Sequence, residues 1–140
     1  MLFRALFRGL LRTDLIFGQP LSGDPAYTYG ATVIVGNAGA ANDPGVSSLM
    51  GNLYKGNKNT EVEAVQNGVC VFAGELGALG NVVVVDHGCG VFSYYALLET
   101  LIAKAGDQIS RSEELGTLGA GNEYGNLFFA MSVNGAFVTP

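Results

Sequence analysis

Apolar residues recur at intervals of three or four positions over the first twelve residues of the chain. One side of a helix drawn through this segment carries Leu2, Phe3, Leu6, Phe7, Leu10 and Leu11, and the opposite side carries Arg4, Arg8 and Arg12. This spacing predicts an amphipathic α-helix with a basic stripe, which we place within residues 1–16. At 1.5 Å per residue such a helix is roughly 18 Å long, whereas the hydrocarbon core of a bilayer is about 30 Å thick. We therefore expect it to lie on a membrane or a partner and not to cross a bilayer.

The apolar pattern changes after Ile16 from a helical repeat to short runs separated by turn residues. Residues 17–59 are rich in Gly, Pro, Ser, Asn and Asp, and they predict loops around one β-like stretch, Ala31–Val35. Beyond Thr60, β-branched and aromatic runs alternate with glycine turns and predict six strands: Glu61–Val65, Gly68–Ala73, Val82–Asp86, Val91–Leu97, Leu115–Leu118 and Asn126–Val133. The stretch Leu98–Ala105 has a helix-like pattern but is too short to change the class. The prediction is an all-β domain over residues 17–140.

Composition and charge narrow the possible functions. Of the 140 residues, 49% are apolar and only 14% are charged, a balance typical of a packed domain and not of a disordered chain. The formal net charge is −5 and no cluster of Lys or Arg follows Arg12, which argues against a nucleic-acid partner. Cys70 and Cys89 form no CxxC pair. We interpret both as buried free thiols, because unpaired cysteine is among the most buried residue types.

Residues 60–140 contain six segments in which glycine turns and valine-rich strands follow one another in a fixed order. The segments are Thr60–Val69 (TEVEAVQNGV), Leu79–Gly88 (LGNVVVVDHG), Gly90–Leu98 (GVFSYYALL), Ala105–Arg111 (AGDQISR), Leu115–Gly119 (LGTLG) and Tyr124–Pro140 (YGNLFFAMSVNGAFVTP). In order and in spacing they resemble the lysostaphin-type, or LytM-like, zinc metallopeptidase domain. The resemblance implies a small antiparallel barrel-like sandwich, the duplicated hybrid motif of that family.

The same resemblance implies where a zinc site would lie. Members of this family hold zinc through the His and Asp of a His-x-Gly-x-Asp motif and the second His of a His-x-His motif, with further histidines activating a water. The corresponding positions of this chain are Leu49, Leu53, Leu97, Asn126 and Phe128. Leu and Phe have no lone pair for a metal, and one Asn cannot supply the three protein ligands of a catalytic zinc. We predict a pseudoenzyme without metal or cofactor, and we expect the apolar replacements to have become part of the core.

His87 is the only histidine of the chain, and Asp86, Cys89 and Ser93 lie near it in sequence. This arrangement raises the possibility of a metal or nucleophile site. Catalysis or tight metal binding would need further partners that the sequence does not supply, and the DHG histidine of the resembling family lies outside its ligand set. We therefore favour a strand-end turn residue over an active hydrolase centre.

Two functional hypotheses remain. The first is a non-catalytic accessory subunit of a larger membrane-associated protein complex, with the domain docked on other subunits. The contact with membrane or partner would use Phe3, Arg4, Phe7, Arg8, Leu11 and Arg12. Because this Arg-containing start has no acidic residue before Asp14, it favours a mitochondrial inner-membrane location. The alternative, implied by the resemblance, is a bacterial envelope pseudo-peptidase that binds or activates peptidoglycan amidases.

Overall fold

The computed structural model describes residues 17–30, 32–34, 46–48, 50–121 and 125–140. The predicted helix within residues 1–16 and the site position Leu49 lie outside these ranges. The strands of the described residues are β1 (Thr32–Ile34), β2 (Val46–Ser48), β3 (Asn52–Tyr54), β4 (Glu61–Glu63), β5 (Gly68–Glu75), β6 (Asn81–Gly88), β7 (Val91–Leu101), β8 (Gln108–Ile109), β9 (Glu114–Leu118), β10 (Leu127–Val133) and β11 (Ala136–Val138). A single 3-10 turn, Gly77–Leu79, connects β5 to β6.

Nine of these strands form one antiparallel sheet, and β1 and β2 pair separately with each other. The main path of the large sheet runs β11-β10-β7-β6-β5-β8. Strand β3 pairs with β10, and β9 pairs with both β7 and β4. The all-β, antiparallel prediction is confirmed. Within the described ranges, no helix has the length and apolar character needed to cross a membrane.

Strand β7 is the longest element and connects two parts of the sheet. Its first half lies between β6 and β10, and its second half, from Leu98, pairs with β9. The helix-like interpretation of Leu98–Ala105 is therefore wrong. Residues 98–101 continue β7 because the ladder with β9 satisfies their backbone groups, while Leu98 is buried in the core. Short local patterns of this kind are decided by tertiary pairing.

Alternation along the strands determines which side chains enter the hydrophobic core. The alternation predicts that Val83, Val85, Leu127 and Phe129, or their strand neighbours, point inward, and all four belong to the core cluster. Tyr95 joins them, because successive side chains of a strand point to opposite faces of the sheet. In the aromatic pairs Tyr94–Tyr95 and Phe128–Phe129, the same alternation predicts that one side chain faces inward and the other outward. Tyr94 and Phe128 are indeed only partly buried.

The two cysteines differ in their environments. Cys70 is buried in the core, as predicted, but Cys89 is exposed. Cys89 occupies the turn between β6 and β7 with a φ of +55°, between two glycines that also have positive φ. Such a turn projects its side chains into solvent, and this is why the prediction of burial is wrong for Cys89.

A second apolar face lies on the other side of the large sheet. Leu53, Val82, Ala96 and Ala130 are at most 5% exposed, yet they do not belong to the core cluster. They lie on strands whose alternate residues fill that cluster, so they occupy the opposite face. The sheet thus has apolar residues on both faces, and two of the predicted site positions, Leu53 and Phe128, lie on this second face.

Candidate functional site

Strands β3 and β10 bring two of the five predicted site positions, Leu53 and Phe128, next to each other, and β7 adds Ala96 beside them. Phe128 on β10 is directly opposite Leu53 on β3 and directly opposite Ala96 on β7. Residues that pair directly in an antiparallel ladder share a face, with Cβ atoms about 4.5–5.5 Å apart. Leu53, Phe128 and Ala96 therefore form one cross-strand row, which we call the Leu53–Phe128 row. Leu53 is 5% exposed and Ala96 is 1% exposed, while Phe128 keeps partial access to solvent.

The backbone of Leu53 is fixed from both sides. Besides its pairing with β10, its N–H donates to the carbonyl of Tyr27 over 2.8 Å. Its carbonyl accepts from the N–H groups of Ala26 and Tyr27 at 2.7 and 3.1 Å. The loop after Pro20 thus adds a short strand-like segment beside β3 and covers the edge next to the row.

Leu97 lies where β7 changes partners. Its φ is +72°, a left-handed conformation that costs an L-residue other than glycine roughly 1–2 kcal/mol. The register of β7 against β6 shifts on either side of Leu97, between the pairs Val83↔Tyr95 and Asn81↔Leu98. The strained residue therefore accommodates a bend in a continuous strand. Its aliphatic side chain offers nothing to a metal or a substrate proton.

Asn126 has a structural role at the start of β10. Its amide nitrogen donates to the carbonyl of Gly119 over 2.8 Å, and its Oδ1 atom accepts from the N–H of Gly56 at 3.2 Å. The side chain thus joins the loop after β9 to the loop after β3. Of the five positions that the family resemblance assigns to zinc chemistry, only Asn126 carries polar side-chain atoms, and both of its polar groups have backbone partners.

The Leu53–Phe128 row is suited to apolar contact and not to acid–base or metal chemistry. Within the described part of the chain, no three His, Cys, Asp or Glu side chains group closely enough to hold a metal ion. Of the apolar replacements that the structure describes, Leu53 is buried, whereas Leu97 and Phe128 are only partly buried. Leu53 lies on the face opposite the core cluster, because its partner Phe128 alternates with the inward-facing Leu127 and Phe129.

His87 lies on the other face of the sheet, at one end of a hydrogen-bonded chain. Its Nδ1 atom is 2.7 Å from the carbonyl oxygen of Asn67, which can only accept, so Nδ1 carries a hydrogen. Its Nε2 atom is 2.7 Å from the hydroxyl oxygen of Ser93, which is in turn 2.9 Å from the hydroxyl oxygen of Tyr95. The Tyr95 oxygen accepts from the N–H of Val65 at 3.0 Å.

This chain of hydrogen bonds is structural. Ser93 and Tyr95 are completely buried, so no substrate could reach the serine hydroxyl. Burial raises the pKa of Tyr95 to about 12. Asp86 accepts from the N–H of Gly88 and Cys89 is exposed in the turn, so neither completes a catalytic group with His87. The favoured interpretation of His87 as a strand-end residue agrees with its position. The sequence gives no signal for the buried chain itself, because its members lie on separate strands and loops.

The state of His87 should make stability depend on pH. Burial lowers the pKa of His87, and the Asn67 carbonyl and Asp86 only partly oppose this. As the pH falls, the unfolded chain, whose histidine pKa is about 6.5, therefore takes up a proton before the folded chain does. The preference of the folded state for a neutral His87 stabilises the fold fully above pH about 6.5. This stability is lost as the pH falls through about 6.5 and then through the lower pKa of the folded state.

Urea unfolding at pH about 7.5 and about 5.5 measures this effect. The His87→Gln variant, which cannot titrate, should lose less stability on acidification than the unmodified chain. The carboxylates are common to both proteins and cancel in the difference. If the difference in unfolding free energy between the two proteins is the same at both pH values, His87 does not titrate as its burial implies.

The match to a family model decides the classification. The model described as peptidase family M23 matches residues 47–140, which include the Leu53–Phe128 row and the whole of the large sheet. The chain belongs to peptidase family M23. The resemblance to the lysostaphin-type domain is confirmed, and with it the assignment of a shared fold.

Two curated relatives of this M23 chain come from bacteria. It is 29% identical over 92 residues to the murein hydrolase activator EnvC of Escherichia coli strain K12, a match that covers 64% of this chain and 22% of EnvC. It is 26% identical over 87 residues to the lipoprotein NlpD of Yersinia enterocolitica, covering 61% of this chain and 90% of NlpD. This chain therefore corresponds to about a fifth of EnvC and to most of NlpD.

Solved structures show the same M23 fold. One of them, the SpoIIQ–SpoIIIAH pore-forming complex, matches with a TM-score of 0.72 and 21% identity, covering 89% of this chain and 88% of the other. At this identity the likeness concerns the fold alone. The names of the relatives favour the bacterial envelope alternative, and they give no support to a mitochondrial inner-membrane location.

Proposed function

We propose that this M23 chain is a non-catalytic binding domain of the bacterial cell envelope that activates a peptidoglycan-cleaving amidase by binding to it. One observation carries the proposal. Two of the positions that the family resemblance assigns to zinc ligands lie side by side, and Leu53 and Phe128 fill them with hydrocarbon. The fold of the site is kept while its chemistry is lost, which suits a surface used for binding.

The relatives support the direction of this proposal. EnvC is named an activator of murein hydrolases, and 64% of this chain matches a region of EnvC. The partly exposed Phe128 supplies an aromatic anchor on a buried apolar row. Aromatic side chains that rest on such a base are frequent hot spots of protein interfaces. The contact of the N-terminal segment through Phe3, Arg4, Phe7, Arg8, Leu11 and Arg12 stays a prediction, and it would tether the domain to a membrane or to the same partner.

An activation assay tests the proposed function. Dye-labelled murein is incubated with a purified amidase from the source cell, with the chain alone, and with both proteins together. The chain alone should release no dye, and the mixture should release dye faster than the amidase alone. Truncating Phe128→Ala should weaken the amidase interaction at least about tenfold, the effect of removing one interface anchor.

The control variant is Ile102→Ala. Ile102 is 49% exposed and lies beyond the end of β7, away from the Leu53–Phe128 row, so its truncation should leave the stimulation unchanged. Murein cleavage by the chain alone would contradict the loss of catalysis. Equal stimulation by Phe128→Ala and the unmodified chain would show that the row is not the binding surface.

A further inference from the structure

Strand β5 has a free edge. On one side it pairs with β6 from Val69 to Glu75. On the other side it pairs with β8 only at Gly68 and Val69, and the next residue, Cys70, exchanges backbone hydrogen bonds with Gly106 and Asp107. In the part of the chain that the structure describes, no strand pairs with this side of residues 71–75. We call residues 71–75 the β5 edge.

The β5 edge is exposed and carries few of the usual protections. Val71 is 46% exposed, so its side chain is not covered by the residues that the structure describes. Natural edge strands are commonly protected by lysine, proline or inward-pointing charges. The β5 edge has the sequence Val-Phe-Ala-Gly-Glu, with no Lys or Pro and with one charge, Glu75, at its end. A register shift between Cys70 and Phe72 marks the place where the β8 contact stops.

The backbone of the edge determines what can cover it. Alternate residues of an edge strand present unpaired N–H and C=O groups, and only another extended backbone matches their spacing. Phe72 and Gly74 share one face, and a Cβ at Gly74 would lie 3.3 Å from the Phe72 ring. The ring therefore lies over the glycine and offers an apolar surface beside the edge. A strand with apolar side chains at alternate positions would contact it.

We propose that the β5 edge binds an extended segment of a partner polypeptide by strand addition, with apolar side chains at alternate positions and a basic residue at each end. In the large sheet, strands β6, β7 and β10 lie between β5 and β3. The β5 edge is therefore separate from the Leu53–Phe128 row. The inference does not depend on the proposed function and can fail or succeed without it.

Length and charge favour a peptide segment over a second copy of this chain. Five residues at about 3.4 Å each give an edge of roughly 17 Å, enough for strand addition but too small for the roughly 1,000 Å² that a stable interface buries. Glu75 lies at one end of the edge and Asp107 at the other. Antiparallel pairing of two copies would bring Glu75 of each beside Asp107 of the other. Basic ends on the partner turn the same carboxylates into favourable contacts.

Hydrogen exchange on the full chain tests the inference. The probe is the capped peptide Lys-Val-Thr-Val-Thr-Val-Lys, and the control peptide has Pro in place of its central Val, which removes a backbone donor. The first peptide should slow exchange severalfold in residues 71–75, with a dissociation constant below about 1 mM, and the proline peptide should not. Val71→Lys should abolish the protection. Ile102→Lys, with the same charge change at a 49% exposed residue off the edge, should bind within about twofold of the unmodified chain.

Three results would overturn the inference. Unchanged exchange in residues 71–75 at about 1 mM peptide would show that the edge does not accept a strand. Equal protection by the proline peptide would show side-chain adhesion instead of a backbone ladder. Sedimentation that shows dimers of the unmodified chain but not of Val71→Lys would assign the edge to a second copy. The murein assay does not bear on any of these outcomes.

Discussion

The Tyr95→Ala variant is expected to lose about 3–5 kcal/mol of unfolding free energy, the usual cost of truncating a fully buried aromatic residue. Tyr95 is completely buried, and its ring packs against Phe129 with centroids 5.3 Å apart. Its hydroxyl also hydrogen-bonds with the Val65 N–H and the Ser93 hydroxyl. Since a whole domain is stable by about 5–15 kcal/mol, this one change should bring the chain close to unfolding.

The Tyr95→Phe variant separates the hydroxyl from the ring. It keeps the packing but leaves the Val65 N–H and the Ser93 hydroxyl short of a buried partner, which costs about 1–3 kcal/mol. Tyr29→Phe is the control, because the Tyr29 hydroxyl makes one exposed 3.3 Å bond to the Phe137 carbonyl. The Tyr29→Phe variant should lose no more than about 0.5 kcal/mol of unfolding free energy. Urea unfolding of all three variants gives the order, and a Tyr95→Phe protein as stable as Tyr29→Phe would refute the role of the buried hydroxyl.

Introducing a carboxylate at Leu53, which the family resemblance assigns to a zinc ligand, should destabilise the chain by several kcal/mol at neutral pH. Leu53→Asp would place an ionised group at a 5% exposed site that is bordered by Phe128 and Ala96 and has no cation within the row. Burial would raise the pKa of the new carboxyl, so its penalty would grow as the pH rises above the unfolded value of about 3.9. The variant should be relatively more stable near pH 4 than near pH 7.

Leu53→Asn is the matched control, since its side chain has the same shape and no charge. Chemical unfolding of both variants at the two pH values isolates the effect of the charge on the free energy of unfolding. Identical pH profiles for Asp and Asn would mean that water or a counter-ion reaches the site and that the row is not closed. The expected result implies that a set of metal ligands cannot be introduced at this row one residue at a time, because the first ligand is itself destabilising.

The sequence predicts most of the long strands of this fold and misses several of the short ones. Strand β6 extends only one residue before and two beyond the predicted Val82–Asp86, because a run of β-branched residues between glycines has no competing structure. Strands β3, β8 and β11 contain two or three residues each and were missed. Their strand conformation depends on the partner that they pair with, which a local pattern cannot show.

The site was predicted from a family resemblance and not from periodicity. The pairing of Phe128 with Leu53 joins residues that are far apart in the chain, and no local pattern relates them. Once the motifs are aligned, the identity of each position follows, and the structure places Leu53 and Phe128 side by side. What could not be predicted is the face on which they lie and the hydrogen-bonded chain from His87 to Val65. Both depend on register between strands.

The partners of β7 also have a consequence for the order of folding. Strand β6 joins β7 through a tight turn, so this hairpin closes a very short loop. The pairs Leu98↔Leu118 and Phe128↔Ala96 close progressively longer loops, and each costs more chain entropy before any contact forms. Sheets dominated by such distant pairs fold in milliseconds to seconds. We expect β10 to join after the β6–β7 hairpin, so that the Leu53–Phe128 row is completed late, only once β10 has been synthesised and has paired with β3 and β7.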